Sequence, residues 1–95
     1  MRIIGVDPGL VNTGYGVIDV NGRSTVAVEG GVSKTKASDA LEFRLAAIYR
    51  DIKEVIEEHK PNVMAVEDLH SRYRNLKTAI IMGHARGVVV LAAGE

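Results

Sequence analysis

The sequence predicts a small α/β domain, with elements in the order β-β-β-α-β-α around a mixed sheet. Two short apolar runs each close on acid: Ile3-Ile4-Gly5-Val6 before Asp7, and Val63-Met64-Ala65-Val66 before Glu67 and Asp68. Between them stand a hairpin pattern and one stretch of helical periodicity, and a second, largely apolar helical stretch follows. A chain of 95 residues suits one domain, residues 1–95, and buries a smaller fraction of its surface than a longer one.

The first strand is Arg2 to Asp7, and its nearly continuous apolar run suits a strand covered on both faces. Pro8-Gly9 breaks it. Thr13 to Val20 and Arg23 to Val32 read as the second and third strands. Asn21-Gly22 between them is the pair a two-residue type I′ turn prefers. Gly30-Gly31 predicts a bulge or a close backbone approach. After a polar loop, Ser33 to Ser38, Asp39 reads as a helix N-cap, with Glu42 completing a capping box. Leu41, Leu45, Ile48, Ile52, Val55 and Ile56 share one helical face, and His59-Lys60-Pro61 ends the helix. The fourth strand is Val63 to Glu67. A polar loop, Asp68 to Asn75, then leads into a helix from about Leu76 to Ala93. That helix is apolar almost all round, which predicts burial on more than one side. Gly83 and Gly87 lie four apart on it, suited to close packing on the sheet or to a subunit interface.

A right-handed crossover sets the first and fourth strands parallel and adjacent. Asp7 and Glu67 then sit side by side at one sheet edge, where open α/β sheets hold ligands. Taken singly, Asp7 also reads as a turn initiator and Glu67 as the first solvated residue after a strand. As a pair at matching strand ends they favour a divalent cation, which removes their mutual repulsion and suits phosphate chemistry.

With no cysteine, disulfides and thiolate metal sites are excluded. No run reads as a membrane span and no signal-peptide pattern opens the chain, so a cytoplasmic protein is expected. The formal net charge is zero, but no acid occurs from Leu69 to Gly94, where Arg72, Arg74, Lys77 and Arg86 cluster. A solvated loop and helix explain that asymmetry. So does a surface that reads a phosphate backbone, with Tyr73 between two arginines placed to stack on an unpaired base. His59 suits a helix C-terminus, His84 a packed or interface position, and His70 a functional one.

The run Ile4-Gly5-Val6-Asp7-Pro8-Gly9-Leu10, with Thr13-Gly14-Tyr15-Gly16-Val17-Ile18, resembles the start of the RuvC family of bacterial Holliday junction resolvases. Ala65-Val66-Glu67, Asn75, Thr78-Ala79 and Gly83-His84-Ala85-Arg86-Gly87 carry the resemblance over essentially the whole chain. It implies a ribonuclease H-like fold and a homodimer, with Gly83, Arg86 and Gly87 at the dimer contact. The implied reaction is Mg²⁺-dependent and nicks a four-way DNA junction symmetrically in recombination and repair. Asp7 and Glu67 would be catalytic metal ligands, with two Mg²⁺ per site in the intact enzyme. His70, Arg72, Tyr73, Arg74 and Lys77 would meet DNA, and branch-migration proteins would be partners. Members of this family continue into a fifth strand and a final helix that carry two more acidic ligands. This chain is therefore expected to be an N-terminal portion, inactive alone. The rivals are a related ribonuclease H-like enzyme acting on RNA precursors, an actin-like nucleotide-binding domain, and a non-catalytic module that binds DNA or dimerises.

Overall fold

Strand β1 (Arg2–Asp7) buries every second residue: Ile4 and Val6 are inaccessible, while Ile3 and Gly5 remain half-buried. That period of two gives the sheet one covered face. The computed structural model describes residues 1–68 and 75–95. Its remaining elements are β2 (Asn12–Asn21), β3 (Ser24–Lys34), α1 (Leu41–His59), β4 (Val63–Val66) and α2 (Leu76–Gly94). The sheet order is β3-β2-β1-β4, with β1 antiparallel to β2 and parallel to β4. The predicted parallel, adjacent placement of β1 and β4 is therefore realised.

Both helices cover the same face. Ile48, Ile52 and Val55 of α1 and Ala85, Val89 and Ala92 of α2 each follow an i, i+4, i+7 stripe. They form one core cluster with Ile4, Val6 and Val17. Fully burying a side chain of this size contributes about 1.5–3 kcal/mol. Among the described residues nothing covers the other face of β1, so the expectation of cover on both faces is not met. The apolar continuity of the strand comes instead from Ile3 and Gly5, which lie half-buried on the second face.

Several local expectations change. Asn21 pairs with Ser24, so the hairpin turn is Gly22-Arg23. Only Gly22 has positive φ (60°), which fits a type II′ turn with glycine first and not the I′ turn expected for Asn21-Gly22. The β-bulge falls at Val28, where the register shifts between Val17↔Glu29 and Ile18↔Ala27, and not at Gly30-Gly31. Gly31 serves close approach instead: a Cβ there would lie 2.6 Å from the Tyr15 hydroxyl. The N-cap of α1 is Ala40, with no side-chain cap, so the Asp39–Glu42 capping box does not form. The Asp39 N–H instead bonds the Lys36 carbonyl in a turn that ends just before the helix. Leu41 lies exposed in the first turn.

The end of α1 agrees with the sequence. Lys60 takes the left-handed conformation (φ 49°, ψ 56°), and its N–H reaches the Ile56 carbonyl at 2.8 Å. Helix α2 corrects another expectation: its 19 residues are long and apolar enough to cross a membrane by length and composition. The structure gives it a different use, since its buried stripe belongs to the core cluster.

Candidate active site

Two carboxylates meet at the end of the parallel pair. Val6 pairs with Val66, and the Glu67 N–H extends the ladder to the Val6 carbonyl at 3.1 Å. Asp7 and Glu67 are therefore successive members of the β1–β4 register. Alternation puts Ile4, Val6, Met64 and Val66 on the helix side, so Asp7 and Glu67 point to the uncovered face. Both are exposed and line one shallow concavity of about 510 Å³ with Gly5, Gly14 and Ala65. A Cβ at Gly5 or Gly14 would meet no atom within 4 Å, so the floor beside the carboxylates is open.

Backbone and side-chain bonds fix both acids from behind. Pro8-Gly9 turns the chain away from Asp7, and buried Thr13 closes that turn. Its hydroxyl donates to the Gly9 carbonyl at 2.7 Å and accepts the Gly9 N–H at 3.2 Å. Thr35 ties the next residues down by donating its hydroxyl to the Leu10 carbonyl at 2.5 Å. On the β4 side, Arg86 of α2 donates Nε to the Glu67 carbonyl at 3.2 Å, and its guanidinium lies 3.5 Å from Asp68 Oδ1. The resemblance implies Arg86 at a dimer contact; within the chain its guanidinium holds the segment that carries Glu67.

The other predicted residues divide. Lys77 is exposed in the first turn of α2, where Asn75 caps the helix by accepting the Thr78 N–H at 2.8 Å. His70, Arg72, Tyr73 and Arg74 lie outside the described residues. Gly83 is half-buried and Gly87 exposed. A Cβ on Gly87 would meet nothing, so packing within the chain does not require glycine there. Arg86 and Thr13 supply support that no spacing rule pointed to. The lone basic residue in the middle of an apolar helix was the one available signal for Arg86.

The donors suit a hard divalent cation. Two carboxylates from adjacent strands offer oxygen ligands beside open space, with no sulfur or nitrogen donor beside them among the described residues. No hydrogen bond or ion pair compensates Asp7 among the described residues.

Comparison with known proteins gives the chain its relatives. Residues 3–95 match the family described as Crossover junction endodeoxyribonuclease RuvC. A protein of that name from Rhodopirellula baltica is 48% identical over 93 residues, which cover 98% of this chain and 52% of that one. Its counterpart from Alkaliphilus oremlandii is 42% identical over 95 residues, covering 100% and 57%. The chain thus spans about half the length of the curated relatives it matches. Among solved structures, T. thermophilus RuvC in complex with Holliday junction substrate superposes with a TM-score of 0.93 at 33% identity. That match covers 99% of this chain and 57% of the other. The ribonuclease H-like fold is thereby shown, and the chain belongs to the crossover junction endodeoxyribonuclease RuvC family.

Proposed function

We propose that this chain supplies the N-terminal portion of a nuclease that nicks four-way DNA junctions symmetrically, with Asp7 and Glu67 as its share of a Mg²⁺ site. The observation that carries the reading is the in-register placement of the two acids on the open sheet face. Mg²⁺ bound there would supply positive charge that makes water a better nucleophile and stabilises a leaving oxygen. The chain's own residues hold the ligands in place. The Thr13–Gly9 bonds set the backbone after Asp7, Arg86 holds the carbonyl of Glu67, and the small side chains leave room for a phosphodiester. Two carboxylates leave most of an octahedral Mg²⁺ shell to water, so binding by this chain alone is weak and turnover needs the further acids of a longer partner half.

The same reading gives α2 two roles. Lys77, with Arg72, Tyr73, Arg74 and His70 of the preceding segment, faces the junction DNA, and each phosphate contact contributes about one unit to the salt slope. Ile80, Gly87, Val90 and Leu91 are exposed at helical spacing, which supports a homodimer through α2 that includes Gly83. Branch-migration proteins and a cytoplasmic setting belong to this proposal.

The test grafts the C-terminal portion of the Rhodopirellula baltica relative onto this chain. Symmetric nicking of a four-way junction in Mg²⁺, lost in Asp7→Asn and in Glu67→Gln, supports the reading. Nicking that survives both substitutions refutes it.

A further inference from the structure

A second group of ligating side chains lies away from Asp7, on the helix-covered side of the sheet. Glu29 follows the Val28 bulge on β3 and pairs with Val17, the buried neighbour of Ile4. A bulge re-aims the side chains beside it. Glu58 and His59 end α1. The Nε2 of His59 contacts a carboxylate oxygen of Glu29, and Glu58 Oε2 lies 3.9 Å from the same nitrogen. One donor atom from each of the three residues falls within 4.8 Å of the others.

The frame around them is fixed. Arg2 donates Nη1 to the His59 carbonyl at 2.9 Å, and the Lys60 N–H closes the helix end on Ile56. Arg2 itself is held by two bonds to Asp19, at 2.8 and 2.9 Å. The His59 side chain is only 14% exposed, whereas Glu58 reaches into solvent at 66%. Tyr15 stands behind Glu29. Its hydroxyl lies against Gly31, two residues along β3 from Glu29.

The group brings two carboxylates from different elements to one imidazole nitrogen. One imidazole nitrogen with two carboxylate oxygens is a donor set for a borderline divalent cation of the Zn²⁺ class, unlike the all-oxygen pair at Asp7. Around a tetrahedral ion such donors sit about 3.4 Å apart, a separation that small side-chain rotations reach from the observed spacing.

We propose that Glu29, Glu58 and His59 bind one Zn²⁺-class cation that ties the C-terminal end of α1 to β3, with a solvent molecule completing the shell. This site is independent of the reading given to Asp7 and Glu67, and it makes no claim on junction cleavage.

Calorimetric titration of Zn²⁺ into the metal-stripped chain tests it, with Co²⁺ absorption in the visible range as a second readout. The expected result is one equivalent bound with a dissociation constant on the order of micromolar. His59→Gln and Glu29→Gln should each weaken uptake at least about tenfold. Glu58→Gln should weaken it several-fold, and because Glu58 is largely exposed that variant keeps its fold; far-UV circular dichroism of all variants checks this. His84→Gln should leave uptake unchanged, and about 10 mM Mg²⁺ should not displace the ion. No uptake below about 100 µM, or uptake indifferent to Glu58→Gln and Glu29→Gln, overturns the proposal.

Discussion

The two ends of β1 treat charge in opposite ways. At Arg2 each charged group has an intramolecular partner: Asp19 takes two guanidinium nitrogens, the His59 carbonyl takes a third, and Asn62 exchanges bonds with the Arg2 backbone. At Asp7 the backbone is tied down by Thr13, while the carboxylate faces open space. The first arrangement lets strands and helix brace one another. The second leaves a carboxylate beside open space. In a domain this small, separating the two tasks along one six-residue strand leaves the acidic pair open without loosening the fold.

The contrast can be tested by substitution. The largest effect should come from Asp7→Asn in the grafted enzyme: junction cleavage falls about 10²–10³-fold. The melting temperature should hold, because no bond among the described residues depends on the Asp7 carboxylate. A large drop in melting temperature would show that Asp7 braces the fold after all. Thr13→Val should come next. It keeps the side-chain volume but strands the Gly9 N–H and carbonyl, costing about 1–3 kcal/mol in denaturant unfolding. No cost would mean that the turn behind Asp7 does not depend on this hydroxyl.

Arg2→Ala should lower the melting temperature at neutral pH and leave Mg²⁺ binding at Asp7 unchanged. The Arg2 side-chain bond holds the Asp19 carboxyl below its ordinary 3.8. A depressed carboxylate contributes stability above its unfolded value and loses it as pH falls through the lower folded value. The gap between wild type and variant should therefore be full above about pH 5 and close in stronger acid. A gap independent of pH would assign the loss to packing. Arg86→Ala should act least on stability, by about 0–1 kcal/mol for a partly exposed pair. It should still slow cleavage by the graft several-fold, through Glu67.

Much of this was readable in the chain. The ends of β1 and β4 follow from apolar runs closed by acid, and the handedness of crossovers made those strands neighbours. The positions of Asp7 and Glu67 needed nothing more. The turn was misplaced by one residue because Asn21-Gly22 suits I′ geometry, while strand pairing through Asn21 left Gly22-Arg23 to make the bend. Asp39 and Glu42 have the capping spacing, yet the helix starts one residue late for it. The Val28 bulge carries no glycine to announce it. The partners of His59 stand thirty residues away or depend on a helix-end geometry that no local pattern encodes.

The parallel pairing of β1 with β4 also sets when the acidic pair comes into being. Val6 and Val66 are neighbours in space but sixty positions apart in the chain, with the hairpin and α1 between them. Closing so long a loop has an entropic cost that local contacts do not meet, and contacts of this kind form late in folding. The nascent chain therefore cannot assemble the pair from its first strands, even with the hairpin complete. On the proposed function, Mg²⁺ held between Asp7 and Glu67 would act as a reversible cross-link across that loop and stabilise only the finished fold. The midpoint of denaturant unfolding should rise with Mg²⁺ concentration, and it should stay fixed in Asp7→Asn.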